Sequence, residues 1–378
     1  MPNNLWFAIR ADASIDMGSG HLMRCLTLAG ALIRQGFRGF LLSVDLPEAF
    51  HDVLNKYGIF HIPLITGGDE ACVSEHNDRP YYHSHWLKHS QSYDIELSRR
   101  AIQKLSLEMG CSPVIIVVDH YALGEPWEQA LGQDTSIFAI DDLNDRPHSA
   151  RWLLDQTAGK AQLEYQGLVK EDTQLLVGSD YALLRQEFAR YRWQAVAKSQ
   201  ELTSVRNILV TLGGSDQNNI TGKILACLDD LDISDDIIVD VVIGGVNPNE
   251  QCLRELRATL SYNVRLSVAV DDMAERMLNA DFCIGAAGAT AWERCAMGLP
   301  AINVVLAENQ RKIAKNLSDA GAAFMVESDG NNFQLELFTC VVKLLSERNT
   351  RKKMSQCALS LCDGQGVQRV VEAILDEY

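Results

Sequence analysis

Apolar residues run together at Leu5-Trp6-Phe7-Ala8-Ile9 and then recur at Leu22, Cys25, Leu26, Ala29, Leu32 and Ile33. The run predicts a buried strand, and the later spacing predicts one face of a helix closed by Gly36. The alternation continues with strands over 39–44 and 59–64 around a helix over 47–57. A helix over 93–109 then leads to strands over 113–118 and 136–140. Strands and helices alternating in this way predict a parallel sheet covered by helices. The pattern fails over 66–92, an expected excursion or mobile insertion, and 152–177 fits no single element. A long helix is expected over 182–199. The second half restarts with strands over 207–212, 237–243, 264–267, 281–284 and 301–306. Its helices are expected from Ile220 and over 248–260, 273–278, 289–297 and 309–320, with mostly helix after Phe333. The fold class is therefore α/β, with two Rossmann-like halves expected to face each other across a cleft. A linker near 197–206 would divide residues 1–198 from 199–378, the last helices packing back on the first half.

Length and composition agree with that division. A chain of 378 residues is long for one core, and 47% hydrophobic with 22% charged residues is ordinary for a globular protein. No apolar run approaches a membrane span and no leader pattern opens the chain, so a cytoplasmic protein is expected. The ten cysteines are scattered without C-x-x-C or zinc spacing and read as reduced core residues. A net charge of −16 argues against nucleic acid or anionic membrane as partners. It also means that any bound phosphate must be held by local backbone donors and helix ends.

Candidate chemistry gathers where strands give way to helices. Gly18-Ser19-Gly20 makes a flexible turn, and His21 follows it at the first turn of a helix. Exposed N–H groups there suit an anion, and the helix dipole favours neutral imidazole able to accept a proton. His21 thus reads either as a catalytic base or as a cap on its own helix. Asp12 and Arg24 could orient it, bind substrate or be structural. The turn fits a dinucleotide fingerprint poorly, because Met23 stands where a third glycine or alanine belongs; Asp45 is the one residue favouring a nicotinamide. No P-loop is present. Asp119-His120-Tyr121 follows a buried strand at the carboxyl end, where doubly wound sheets bind ligands. Asp141-Asp142 could be a metal or acid–base pair, though loop carboxylates more often cap backbone N–H groups. His76, His83, His85 and His89 in the excursion show no ligand spacing and read as a solvated loop. In the second half Gly213-Gly214-Ser215 and Gly285-Ala286-Ala287-Gly288 each end a strand and open a helix, a suitable apparatus for a diphosphate. Glu293, one turn further on, could accept hydrogen bonds from ribose hydroxyls.

Taken together, RADAS…GSGHLMRCLTLA, VVDHYALG, DYALLRQEF, LGGSDQNN, GAAGATAWERCAMGLP and AENQ occur in that order over most of the chain. In this set the sequence resembles the UDP-2,4-diacetamido-2,4,6-trideoxy-β-L-altropyranose hydrolases of pseudaminic acid biosynthesis. Those enzymes are similar to MurG-type glycosyltransferases and share their GT-B fold. The resemblance implies attack of water on the anomeric carbon, releasing UDP and the free sugar. It places the catalytic histidine at His21, sugar-side residues at Tyr121 and Asn309, a nucleotide contact at Asn219 and the ribose-binding acid at Glu293. The glycine turns, including Gly213, Gly214, Ser215, Gly285, Ala287 and Gly288, would hold UDP, with Asp12, Gly18, Gly20 and Arg24 on the sugar side. No metal or organic cofactor is implied, and the partner is a small-molecule UDP-sugar. Two other readings stand beside this one: a MurG-like transferase using the same donor, and a nucleotide-sugar-binding protein without catalysis.

Overall fold

The computed structural model describes residues 5–14, 17–18, 20–64, 81–201, 204–214, 216–330 and 332–377. The chain divides into two compact units, Met1–Leu183 with Gly366–Tyr378, and Leu184–Gln365.

The first unit is built on β1 (Trp6–Ala11), β2 (Arg38–Ser43), β3 (Ile59–Pro63), β4 (Ile115–Asp119), β5 (Ser136–Ile140), β6 (Trp152–Asp155) and β7 (Gln174–Val177). Their order in the sheet is β3-β2-β1-β4-β5-β6-β7, and every neighbouring pair is parallel. β1 is buried at all six positions because the sheet is covered on both faces. Phe7, Ile9 and Ala11 pack into a cluster with Leu22, Leu26 and Leu32 of α1 (Gly20–Arg34). Trp6 and Ala8 point the other way, toward Leu97 and Leu105 of α3 (Gln91–Met109) and Trp127 of α4 (Glu125–Leu131). The segment over 152–177, unassigned from sequence, supplies β6 and β7. These are only four residues each, too short to show a period.

The second unit orders its strands β10-β9-β8-β11-β12-β13: Asn263–Val268, Ile238–Ile243, Asn207–Thr211, Phe282–Ala286, Ala301–Val305 and Ala323–Glu327. All are again parallel. The unit also contains α5 (Gln186–Gln200), which the expected division at 198 leaves in the first half. The helix starts four residues later than its expected start at 182 because Ala182–Arg185 is non-helical, the backbone of Arg185 being extended. The final helix, Gly366–Leu375, belongs with the first unit, where Val370, Val371 and Ile374 join the α1 cluster. Gly366 makes that seat possible, since a Cβ there would lie 2.3 Å from the carbonyl oxygen of Ala182.

Each sheet reverses its strand order once, between β1 and β4 in the first unit and between β8 and β11 in the second. Loops leaving the carboxyl ends of two such strands diverge to opposite sides and open a crevice. Among the described residues no helix is long and apolar enough to cross a membrane, and no cysteine is disulfide-bonded.

Candidate active site

The reversal between β1 and β4 brings together residues almost a hundred positions apart. β1 ends at Ala11 opposite Asp119, the last residue of β4, and His21 enters from the first turn of α1. His21 Nδ1 lies 2.6 Å from Asp119 Oδ1. Arg24, one helical turn on, forks onto the same carboxylate through Nε (2.6 Å) and Nη2 (2.7 Å). Its third nitrogen, Nη1, reaches Asp142 at 2.8 Å. Asp142 in turn accepts the hydroxyl proton of Tyr121. The result is a continuous chain, Tyr121–Asp142–Arg24–Asp119–His21, with Arg24, Asp119 and Tyr121 buried.

This geometry assigns the proton on the imidazole. Asp119 would ordinarily be driven up by burial, but Arg24 and His21 outweigh that and hold its carboxyl well below the usual range. An ionised carboxylate at 2.6 Å requires a donor, so Nδ1 carries hydrogen and Nε2 is left as the acceptor in the neutral ring. Arg24 Nη2, at 3.3 Å from Nδ1, is the weaker neighbour. Nε2 has no hydrogen-bond partner among the described residues. Burial and Asp142 together push the Tyr121 hydroxyl well above its ordinary value, so it remains a neutral donor.

Asp12 sits at the same end of the sheet but is engaged elsewhere. Its Oδ1 accepts from the N–H of Val44 and Asp45 at 2.7 and 3.1 Å, while Oδ2 pairs with Arg10 at 2.8 Å. Arg10, fully buried, also holds Asp94, which binds Ser98, Trp127 and His89. Gly18 adopts φ +74°, open to glycine and costly to others, and its N–H closes a turn onto Ser14. Gly20 starts α1, and a Cβ at either glycine would meet open space.

Asp141 and Asp142 part company. Asp141 caps the N–H of Asn144 and pairs with Arg146 at 2.8 Å, whereas Asp142 turns to Arg24. Behind them His148 Nδ1 meets Glu128 at 2.6 Å and Nε2 approaches Asp141 at 3.6 Å. Burial opposes the imidazolium, but the two carboxylates prevail and raise its pKa to about 9. A raised folded value means stabilisation that is complete below the unfolded pKa of about 6.5 and disappears as pH climbs through 9. The expected contribution is on the order of 3 kcal/mol. Thermal unfolding should therefore separate wild type from His148→Gln most at pH 6, and the two melting temperatures should approach one another by pH 10.

In the second unit β8 and β11 lie side by side, which brings the turns at 213–214 and 285–288 together. Gly213 has φ +90° with open space where a Cβ would be. Gly214 is packed against Gly244, whose Cβ would lie 2.3 Å from the Gly214 oxygen. Ser215 lies outside the described residues. The helix that follows, α6 (Ile220–Asp230), is capped by its own chain: Asp216 accepts from the N–H of Ile220 and Thr221, both at 2.8 Å. Asn219, at φ 49°, accepts from Gly222 at 3.2 Å. The first N–H groups of α6, expected to meet an anion, thus already have partners.

Gly285 is small for a different reason from the one its motif suggests. A Cβ there would lie 2.6 Å from Nη1 of buried Arg294, which donates to the Ala286 oxygen and to Asn303. Ala287 is fully buried and packs with Val305 and Ala314. Gly288 has open space beside it. Glu293 lies on α9 (Thr290–Ala296), 3.5 Å from Arg185. Burial raises its carboxyl pKa, with Arg185 opposing and Glu187 reinforcing the shift. Asn309 lies in the first turn of α10 (Glu308–Asp319); its side chain is outside the described positions.

Residues 207–373 match the glycosyltransferase family 28 C-terminal domain. The crystal structure of Acinetobacter baumannii MurG superposes with a TM-score of 0.68, covering 99% of both chains at 16% identity. This chain has the GT-B fold. Among curated sequences, the uncharacterized protein MJ1062 of Methanocaldococcus jannaschii is 25% identical over 312 residues, 81% of this chain. The match spans 56% of that relative's length. The UDP-2,4-diacetamido-2,4,6-trideoxy-β-L-altropyranose hydrolase of Campylobacter jejuni is 24% identical over 82% of this chain and 96% of its own.

Four residues that the structure draws in were given no partner from sequence. Asp119 was visible as the end of a buried strand, yet nothing in its neighbours announces His21 as its partner. Arg185 belongs to DYALLRQEF and reaches Glu293 of WER, a link between two motifs. Trp86 and His83 lie in the excursion expected to be a solvated loop. There His89 and Ser84 are buried and Trp86 half-buried; His76 lies outside the described residues.

Proposed function

We propose that this chain is a UDP-sugar hydrolase that cleaves UDP-2,4-diacetamido-2,4,6-trideoxy-β-L-altropyranose with water. The observation that carries the reading is the 2.6 Å contact between His21 Nδ1 and Asp119, which leaves Nε2 as a base at a strand-order reversal. In this reading Nε2 takes a proton from water as the water oxygen bonds to the anomeric carbon. The bond from that carbon to the diphosphate oxygen breaks on the opposite face, inverting the centre. Asp119 and Arg24 hold the ring and stabilise the imidazolium that forms. UDP is a good leaving group, so no strong acid is needed to protonate it. Backbone groups of the turns at 213–214 and 285–288 would bind its phosphates, and Glu293 its ribose. Similarity to the Campylobacter hydrolase over most of both chains supports the choice of substrate.

The match to the glycosyltransferase family 28 C-terminal domain favours a second reading, transfer of the sugar to an acceptor hydroxyl. Proton NMR of enzyme and UDP-sugar in buffer alone separates the two. The hydrolase is expected to yield UDP and 2,4-diacetamido-2,4,6-trideoxy-L-altrose, the first anomer seen being the inverted one. A UDP-sugar that persists until an acceptor alcohol is added would identify a transferase instead.

A further inference from the structure

We propose that Trp86 is a sugar-positioning residue, its indole forming an aromatic wall at His21 against which the apolar face of the sugar packs. The inference rests on the UDP-sugar reading above and concerns the segment 81–89, which none of the recognised motifs covers.

Three observations carry it. The first is placement. The Trp86 ring stacks on Tyr121 with centroids 5.4 Å apart and planes 22° from parallel. It also stands nearly perpendicular to His21, 5.8 Å away at 79°, and Tyr121 itself meets His21 edge-on at 4.5 Å. Two aromatic rings, stacked on each other, therefore meet the proposed base.

The second is that this wall is firmly built. Ser84 and Leu87 are buried on either side of Trp86. Ser84 Oγ accepts from Tyr81 N–H at 3.0 Å, and Trp86 N–H donates to the His83 oxygen at 2.9 Å. His89 is tied to Asp94 at 3.1 Å. Gly124 leaves room for Tyr81, since a Cβ there would stand 2.7 Å from the tyrosine oxygen. Arg146 lies over both Tyr81 and Tyr121, at 5.9 and 5.8 Å from the ring centroids.

The third is unused capacity. Trp86 is only half-buried, although rings of this size contribute most when covered. His83, 4.6 Å from Trp86 and 5.2 Å from Tyr121, has a buried Nδ1 without a hydrogen-bond partner among the described residues. Such an atom is costly unless a ligand completes it. An acetamido sugar offers both missing features: C–H and methyl surface for the indole, and an amide for the imidazole.

The test is a binding titration by calorimetry, with UDP and with the UDP-sugar, in a His21→Asn background that keeps the sugar intact. Trp86→Leu is expected to weaken UDP-sugar binding about tenfold and leave UDP binding unchanged, while Trp86→Phe keeps most of the affinity. Tyr82→Ala, on the exposed side of the same segment, should change neither. Thermal unfolding of each variant shows whether it is folded, and the phenylalanine variant decides the matter if leucine disrupts the segment. Unchanged UDP-sugar affinity in a folded Trp86→Leu protein would overturn the wall alone, as would an equal loss for UDP. Failure of the parent chain to bind either ligand would overturn the UDP-sugar reading and the wall with it.

Discussion

His21→Asn is expected to lower kcat by about a thousandfold while leaving UDP affinity within about twofold of wild type. Asparagine is smaller but keeps an amide N–H that can still approach Asp119, so the buried carboxylate keeps a donor. What it lacks is an sp² nitrogen lone pair facing away from that carboxylate. Without one, water must attack undeprotonated. UDP should be unaffected because its proposed contacts are with the turns of the second unit. Turnover near the wild-type rate would remove His21 from the role of base. A parallel loss of UDP binding would instead indicate a structural part for the residue. Single-turnover kinetics and calorimetry on the same preparation distinguish these results.

The second large effect is expected from Asp119→Asn, with kcat falling about a thousandfold or more although residue 119 touches no reacting atom. The amide can donate to Nδ1, which favours the tautomer with hydrogen on Nε2, the wrong nitrogen for a base. Arg24 simultaneously loses the anion that holds two of its three nitrogens. Removing one partner of a buried pair typically costs about 3–5 kcal/mol. Here Asp142 still holds Nη1, so the loss should fall toward the lower end of that range. The distinguishing measurement is the pH–rate profile. A positioning role predicts an altered apparent pKa on the acidic limb, where the base must lose its proton, whereas mere loosening of the fold would lower the rate uniformly and depress the melting temperature alone. An unaltered profile and rate would show that the His21–Asp119 contact is incidental to catalysis.

The buried ion pairs beneath the site explain how this much charge is tolerated at the centre of a sheet. Arg10, Asp12 and Asp94 join β1 to α3 and to the end of β2. Arg24, Asp119 and Asp142 join α1 to β4 and to the loop after β5. The four carboxylates share two guanidiniums, each lying within 2.8 Å of one. Unpaired, any one of them would be far too costly to bury. Paired, they leave an imidazole with a defined tautomer as the group able to exchange a proton.

Much of this was legible in the chain. Periodicity separated most strands from helices in both halves, because strands buried on two faces read as unbroken apolar runs while helices repeat every three to four residues; β6, β7 and β13, of four or five residues, escaped it. The turn before His21 and its place at the start of a helix followed from Gly18, Gly20 and the spacing after them. The order of motifs pointed to the GT-B fold that the two parallel sheets display. Tertiary structure alone decided the pairings. Sequence spacing reports neighbours along one element, but His21 and Asp119 meet only because the sheet reverses between β1 and β4. For the same reason the packing of Arg294 against Gly285 could not be read from the motif. The wall at Trp86 was also invisible beforehand, since rings that pack across a loop leave no period to detect.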